Sequence, residues 1–182
     1  MYHQHNDIEK VLFDAEAIQR RVIDLGYEIS CNYGSTEITI VSVFKGAVPF
    51  TWDLMKNISN PCTLNFVQAS SYRGGTTSGS LRIEGLLELD LYNKDVLIID
   101  DILDSGRTMH KLVQWVQDEQ PRTLKTCVLL DKPTCHQKQI KADYVGFEVP
   151  DEFVVGYGLD YRELYRNFNY IGLLKQSIYD KA

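Results

Sequence analysis

The chain has 182 residues, 44% of them hydrophobic and 24% charged, with a formal net charge of −6 at pH 7. That length and mixture fit a single globular domain spanning 1–182 with a sizeable core, and they exclude a low-complexity chain or a disulfide scaffold. The acidic balance argues against a protein whose main work is to neutralise nucleic-acid phosphates, although it leaves room for a local basic patch.

Cys31, Cys62, Cys127 and Cys135 lack CxxC spacing and read as reduced thiols. No positively charged start leads into an apolar segment, and no apolar run approaches the roughly 18 residues of a membrane span. A cytoplasmic protein with neither membrane nor nucleic-acid partners is the expectation. Asn57-Ile58-Ser59 matches a glycosylation sequon, which without a secretion signal reads as a chance match.

Ala15 to Leu25 is helical in pattern behind a capping Asp14, and Gly26 and Gly34 punctuate the stretch after it. Glu37 to Phe44 predicts a strand and Ala47 to Met55 a helix. Leu64 to Ser70 predicts another strand, and Tyr72 to Ser80, rich in Gly, Thr and Ser, has the composition of a mobile loop. Leu81 to Leu87 reads as the returning arm of a flap. Val96-Leu97-Ile98-Ile99 are four β-favouring apolar residues in a row, the pattern of a strand buried on both faces at the centre of a parallel sheet. That strand is expected to end in two carboxylates, Asp100 and Asp101. His110 to Val116 predicts a helix. Thr126 to Leu130, Tyr144 to Phe147 and Phe153 to Val155 predict strands, and the tail is expected to pack beside them as a small hood. Alternation of helices and strands without repeats points to the α/β class.

The segment after the acidic pair carries the most chemistry. Asp104-Ser105-Gly106-Arg107-Thr108 offers backbone N–H groups, two hydroxyls and a glycine, and the helical pattern Met109, Leu112, Val113, Val116 comes next, making an anion cradle at a helix start. A strand-end acidic pair and a capping Asp or Ser also occur as ordinary solvated loop chemistry. The third acid, Asp104, directly before a Ser-Gly-Xaa-Thr turn is the specific part. A ligand with a phosphate at one end and a metal-bridged diol or diphosphate beside it satisfies both halves. Ligands of open parallel sheets gather beyond the carboxyl ends of the strands. Lys45-Gly46, Ser71-Tyr72, Asp100-Asp101 and Lys132 each come after a predicted strand and are therefore expected to face one crevice.

The apolar strand, the acidic pair and Asp104 to Thr108 resemble the phosphoribosyl diphosphate motif of the type I phosphoribosyltransferases. Phe44-Lys45-Gly46-Ala47, Ser71-Tyr72, Lys132 and the run Val145 to Tyr161 narrow the resemblance to the 6-oxopurine branch, the hypoxanthine phosphoribosyltransferases. The resemblance implies a central, mainly parallel sheet flanked by helices, a flexible active-site loop, and a hood formed by the N-terminal segment and C-terminal tail. It implies purine salvage: Mg2+-dependent transfer of the 5-phosphoribosyl group from phosphoribosyl diphosphate to N9 of hypoxanthine, and of guanine, giving IMP or GMP and diphosphate. A homodimer or homotetramer is implied as well.

Residue roles come from the same resemblance. Asp104 is the proton acceptor near purine N7. Lys45, Gly46, Ser71, Tyr72, Asp100, Asp101, Ser105, Gly106, Arg107, Thr108 and Arg166 hold the phosphoribosyl and diphosphate groups. Lys132, Phe153, Val154 and Asp160 form the purine side, through a donor to the 6-oxo oxygen, a stacking ring and backbone hydrogen bonds. Asp100, Asp101 and Asp160 are the implied magnesium ligands, and a cis peptide precedes Lys45. Asp100 stands where relatives often carry glutamate, Phe44 where leucine is common, and Ser105 where threonine is frequent, which bears on metal geometry. Each residue also has a structural reading: Lys45 and Lys132 as surface lysines, Phe153 as core, Asp104 as a helix cap. Two other classes compete. One is a regulatory protein of the same fold that senses phosphoribosyl diphosphate and binds nucleic acid. The other is a signalling receiver domain, which has no need of the Ser-Gly-Arg-Thr cradle.

Overall fold

The computed structural model describes residues 5–71, 81–84, 89–137 and 140–180. In chain order its elements begin with β1 (Ile8–Phe13), α1 (Ala15–Tyr33), β2 (Ile38–Phe44), α2 (Val48–Met55), β3 (Cys62–Ser71) and β4 (Leu81–Glu84). They continue with β5 (Asp95–Leu103), α3 (Arg107–Asp118), β6 (Thr123–Asp131), a short 3-10 turn, β7 (Tyr144–Glu148), β8 (Val154–Val155), β9 (Ile171–Leu174) and α4 (Gln176–Tyr179). The predicted loop Tyr72 to Ser80 and the last part of the predicted flap arm lie outside the described residues.

Alternation along the strands decides the layers. In β2 and β5, Ile38, Ile40, Leu97 and Ile99 join one apolar cluster with Ile18, Val22, Leu25 and Ile29 of α1 and Phe50 and Leu54 of α2. Val41, Val43, Val96 and Ile98 join a second cluster with Met109, Leu112 and Val116 of α3. Both faces of these strands are thus covered by helices, which is why their sequences are apolar at successive positions. The expected α/β architecture forms. The six-stranded sheet runs β4-β3-β2-β5-β6-β7, parallel throughout except for the antiparallel edge pair β3 and β4.

A second sheet, β1-β9-β8, is antiparallel and joins the two ends of the chain; we call it the hood. Its strands β1 and β9 carry no clear pattern in the sequence. β1 reads buried at Ile8, then exposed at Glu9 and Lys10, then half-buried, so period-2 alternation is lost.

Three boundaries differ from expectation. Helix α1 does not stop near Leu25 but runs through Gly26 to Tyr33. Gly26 is there for a close approach: a Cβ would lie 2.6 Å from both the Cβ and the backbone oxygen of Asn57, at the end of α2. The helix is capped at its start by Asp14, which accepts from the Ala17 N–H at 2.8 Å, and it ends at Gly34 with φ 63°. Strand β5 does not end at the acidic pair but continues to Leu103, held by pairing of Asp100 with Val128 and Ile102 with Leu130. Helix α3 begins at Arg107 rather than His110, its N-cap being Gly106 in the left-handed region, with no side-chain cap. The reading of Asp104 as a helix cap is therefore corrected. No described helix is long and apolar enough to cross a membrane, and the four cysteines are unpaired.

Candidate active site

Strand β2 has β3 on one side and β5 on the other, so successive parallel connections run outward in opposite directions from the β2–β5 pair. That is a topological switch point, and the carboxyl ends of the flanking strands frame a crevice there. A cavity of about 380 Å³ opens at this place, lined by the ends of β2 and β5, the 104–109 turn, Ala69 of β3, and Asp160 and Arg166 below the hood. Eleven residues expected from the sequence line it: Lys45, Gly46, Asp100, Asp101, Asp104, Ser105, Gly106, Arg107, Thr108, Asp160 and Arg166.

The turn is built as an anion cradle. Gly106 adopts φ 76°, ψ 0° and feeds directly into the first turn of α3, whose leading N–H groups have no intrahelical acceptor. The His110 N–H makes an early intrahelical bond, to Gly106 O at 2.9 Å. Arg107 sends its guanidinium to Gln137 Oε1 at 2.6 Å, outside the cradle. What the turn presents to an anion is thus mainly backbone and the side chains of Ser105 and Thr108.

Beside the cradle lie the acids. Asp100 is buried, and the Asp101 N–H donates to its Oδ1 at 2.9 Å. Burial, and then the neighbouring Asp101, push the Asp100 carboxyl well above the usual range. Burial raises Asp101 as well, against hydrogen bonds from Asp100 and the backbone and the more distant charge of Arg166. Two desolvated carboxylates side by side are hard oxygen donors that gain from a cation. The close packing of Gly46 fixes their position, since a Cβ there would lie 1.7 Å from Asp101 Oδ2. The Phe44–Lys45 peptide before it is cis, as expected. Asp160 contributes a further carboxylate, but Arg166 already holds it through Nη2–Oδ1 at 2.7 Å. No group of three or more described His, Cys, Asp or Glu side chains is placed to hold a metal alone. Magnesium needs only one or two carboxylates when substrate phosphates and water complete its shell, and the buried pair meets that requirement.

Arg166 is the main cation from the hood side. Its Nη1 donates to Gly158 O at 2.8 Å, while its buried Nε has no partner among the described residues. A buried guanidinium N–H without a partner is a donor able to take an acceptor.

Of the residues expected on the purine side, Asp160 lines this cavity, and Lys132, Phe153 and Val154 do not. Lys132 is buried, its Nζ 3.8 Å from Asp151 Oδ1, and its N–H donates to Leu103 O at 2.9 Å, which docks its loop on the end of β5. Asp131, the residue before it, meets His136 Nε2 at 2.7 Å and closes the 3-10 turn between them. Phe153 is 40% exposed, so it is not core. Tyr161 meets it edge-on with centroids 5.2 Å apart, and Tyr179 of α4 stacks on it at 5.4 Å. Val154 sits in β8, an edge strand that pairs on one side only. Ser71 ends β3 opposite Leu81; Tyr72 lies outside the described residues.

Ile102 and Glu163 are among the residues at the site that the sequence expectation did not include. Ile102 lines the cavity between Asp101 and Leu103, a position hidden by the assumption that the strand stopped at the acids. Glu163 bonds Lys45 through Oε2 at 3.1 Å and Arg166 through Oε1 at 3.3 Å. A hydrogen bond from Lys45, then the charge of Arg166, hold its carboxyl below the usual range. It stands in a turn where Arg162, Glu163 and Tyr165 all have positive φ, which no periodic pattern announces.

Comparison with known proteins agrees with this geometry. The family model described as phosphoribosyl transferase domain matches residues 10–162. The hypoxanthine-guanine phosphoribosyltransferase of Bacillus subtilis is 47% identical over 176 residues, 96% of this chain and 98% of the relative. The bifunctional protein TilS/HprT of Listeria monocytogenes is 46% identical over 178 residues, and the chain spans only 28% of that relative's length. The structure of hypoxanthine phosphoribosyltransferase from Trypanosoma cruzi in complex with the product IMP matches with a TM-score of 0.91 at 34% identity, covering 98% of this chain and 100% of the other. These relatives lend no support to the regulatory alternative. With its phosphate turn, its acidic pair and matches of this extent, the chain belongs to the phosphoribosyltransferase family, in its hypoxanthine branch.

Proposed function

We propose that the protein transfers the 5-phosphoribosyl group of phosphoribosyl diphosphate to N9 of hypoxanthine or guanine, forming IMP or GMP and diphosphate in cytoplasmic purine salvage. The observation that carries this reading is one cavity lined by the 104–108 turn, the Asp100–Asp101 pair, the Lys45-Gly46 turn and Arg166. A phosphorylated sugar diphosphate has two anionic ends joined by a diol, and the cavity offers an N–H cradle, two cationic side chains and two carboxylates. Its size, about 380 Å³, is in the range of small-ligand sites.

In this mechanism the cradle and the hydroxyls of Ser105 and Thr108 fix the 5′-phosphate, while Lys45 and Arg166 take the diphosphate. Holding both ends in line with the purine turns a two-body encounter into an oriented displacement at the anomeric carbon. Asp100 and Asp101 would hold Mg2+, with Asp160 as a further carboxylate. Bound there, the ion would supply charge neutralisation for the leaving diphosphate. Lys132 donates to the 6-oxo oxygen, Phe153 stacks on the base and the backbone of Val154 meets its edge. Adenine, with an amino group at C6, gives Lys132 no acceptor. Asp104, exposed at the cavity rim, accepts the purine proton. Ser71 and Tyr72 start the loop that covers the reacting carbon against water. Assembly as a homodimer or homotetramer is part of the reading, to be checked by light scattering.

The test is product analysis with purified protein, Mg2+ and phosphoribosyl diphosphate. Hypoxanthine and guanine are expected to give nucleotide and diphosphate in equal amounts, adenine none, and chelation of Mg2+ is expected to stop the reaction. Absence of nucleotide with every base contradicts the proposal. Competition among hypoxanthine, guanine and xanthine sets the base preference.

A further inference from the structure

Lys45, at the end of β2, and Arg166, in the segment between β8 and β9, both line the cavity, and one side chain joins them. Glu163 gives one carboxylate oxygen to each: Oε2 to Lys45 Nζ at 3.1 Å and Oε1 to Arg166 Nη2 at 3.3 Å. Among the described residues three cationic side chains line the cavity, and the third, Arg107, is turned to Gln137. Both cations assigned to diphosphate therefore share Glu163, while Arg166 is also paired with Asp160 Oδ1 at 2.7 Å. The carboxylate is held in place by its own backbone, since the Glu163 N–H donates to Asp160 Oδ2 at 2.8 Å in a turn with φ 66°.

We propose that Glu163 is an internal competitor of diphosphate for Lys45 and Arg166, setting how tightly the diphosphate end binds and how readily it leaves. A carboxylate and a phosphoryl oxygen make the same demand on an ammonium or a guanidinium, so the two anions exclude each other at these donors. The competitor is weak by construction: the Glu163 and Lys45 side chains are 66% and 51% exposed, and exposed pairs contribute little. A diphosphate bearing several charges displaces it. As diphosphate departs, Glu163 recaptures both cations. This inference rests on the assignment of Lys45 and Arg166 to diphosphate.

The test is titration of the intact protein with inorganic diphosphate and with phosphoribosyl diphosphate, both with Mg2+, at low and high salt. Glu163→Gln keeps the backbone N–H and the side-chain shape and removes the charge. It is expected to tighten both ligands by about two- to fivefold at low salt, to lose most of that gain at high salt, and to leave the KM for hypoxanthine unchanged. In a Lys45→Met background the Glu163→Gln gain is expected to shrink, as coupled neighbours require. If Lys45→Met weakens diphosphate binding while Glu163→Gln leaves it unchanged or weakens it, the competitor role is overturned and the diphosphate assignment stands. If Lys45→Met leaves diphosphate binding unchanged, the Lys45 assignment itself falls. A tightening by Glu163→Gln that persists at high salt and in the Lys45→Met background overturns an electrostatic competition. Thermal melts of each variant confirm that the fold is kept.

Discussion

The role proposed for Asp100 sets function against stability within one side chain. Its carboxyl is buried beside Asp101 and its folded pKa lies above the unfolded value of about 3.9. Between the two values the folded state binds the proton that the unfolded state has lost, so stability is greatest at low pH and falls as pH rises through that window. At neutral pH keeping this carboxyl buried is a net cost. Asp100→Asn removes the charge and keeps the acceptor for the Asp101 N–H. We expect it to stabilise the apo protein at pH 7 by about 1 kcal/mol, a rise of roughly 2–4 °C in Tm, while weakening Mg2+-dependent binding of phosphoribosyl diphosphate. Calorimetry and titration check the two halves, and a lower Tm contradicts the first. Asp95 has the opposite sign. Arg122 grips it with both nitrogens and Thr123 donates at 2.8 Å, holding its carboxyl far below the usual range. Its contribution is present above the unfolded value and is lost as pH falls toward the folded one, so Asp95→Asn should flatten the acid limb of a stability–pH curve. For Asp104, exposed and free of the helix cap, Asp104→Asn is expected to lower turnover about 10²–10⁴-fold with smaller changes in KM. Full turnover in steady-state kinetics removes its role as base.

At the scale of elements, close backbone approaches do what charges do at the residue scale. Gly46 leaves the space that the Asp101 carboxylate occupies, so Gly46→Ala must displace an acid and is expected to weaken phosphoribosyl diphosphate binding at least about tenfold with little change in folding. Gly26 leaves space for Asn57, and Gly26→Ala, far from the cavity, is expected to cost about 1–3 kcal/mol in denaturant unfolding with catalysis unchanged in the folded fraction. These two positions also show what the sequence could and could not disclose. Val96 to Ile99 announced β5 because a strand covered on both faces must be apolar at every position, and the Asp104 to Thr108 turn announced its cradle because N–H-rich turns need small and hydroxyl residues. Gly26 misled because glycine ordinarily interrupts a helix, and only the tertiary contact with Asn57 explains its place inside one. The hood strands β1 and β9 were illegible for another reason. They are short, one carries charges at Glu9 and Lys10, and their pairing joins residues some 160 positions apart, such as Ile8 and Leu174. Glu163 stayed hidden because its role comes from a left-handed turn and two distant cations.

For the molecule as a whole, strand order does the positioning. Because β2 and β5 are neighbours at the switch point, segments separated by more than fifty residues in the chain, the Lys45-Gly46 turn and the 100–108 run, meet across one cavity. The segment between β8 and β9 adds Asp160 and Arg166 to the lining, and the loop of Lys132 docks on the end of β5 through Leu103 O. A net charge of −6 is compatible with an anionic substrate because the local donors at the cavity are N–H groups, Lys45 and Arg166. The decisive measurement is the crystal structure of the protein with IMP and magnesium diphosphate. The 5′-phosphate is expected on the N–H groups of 105–108, the base against Phe153 with its 6-oxo oxygen at Lys132, and diphosphate at Lys45 and Arg166 with Glu163 turned away. Nucleotide bound elsewhere, with the 104–108 turn and the acidic pair untouched, would contradict this assignment.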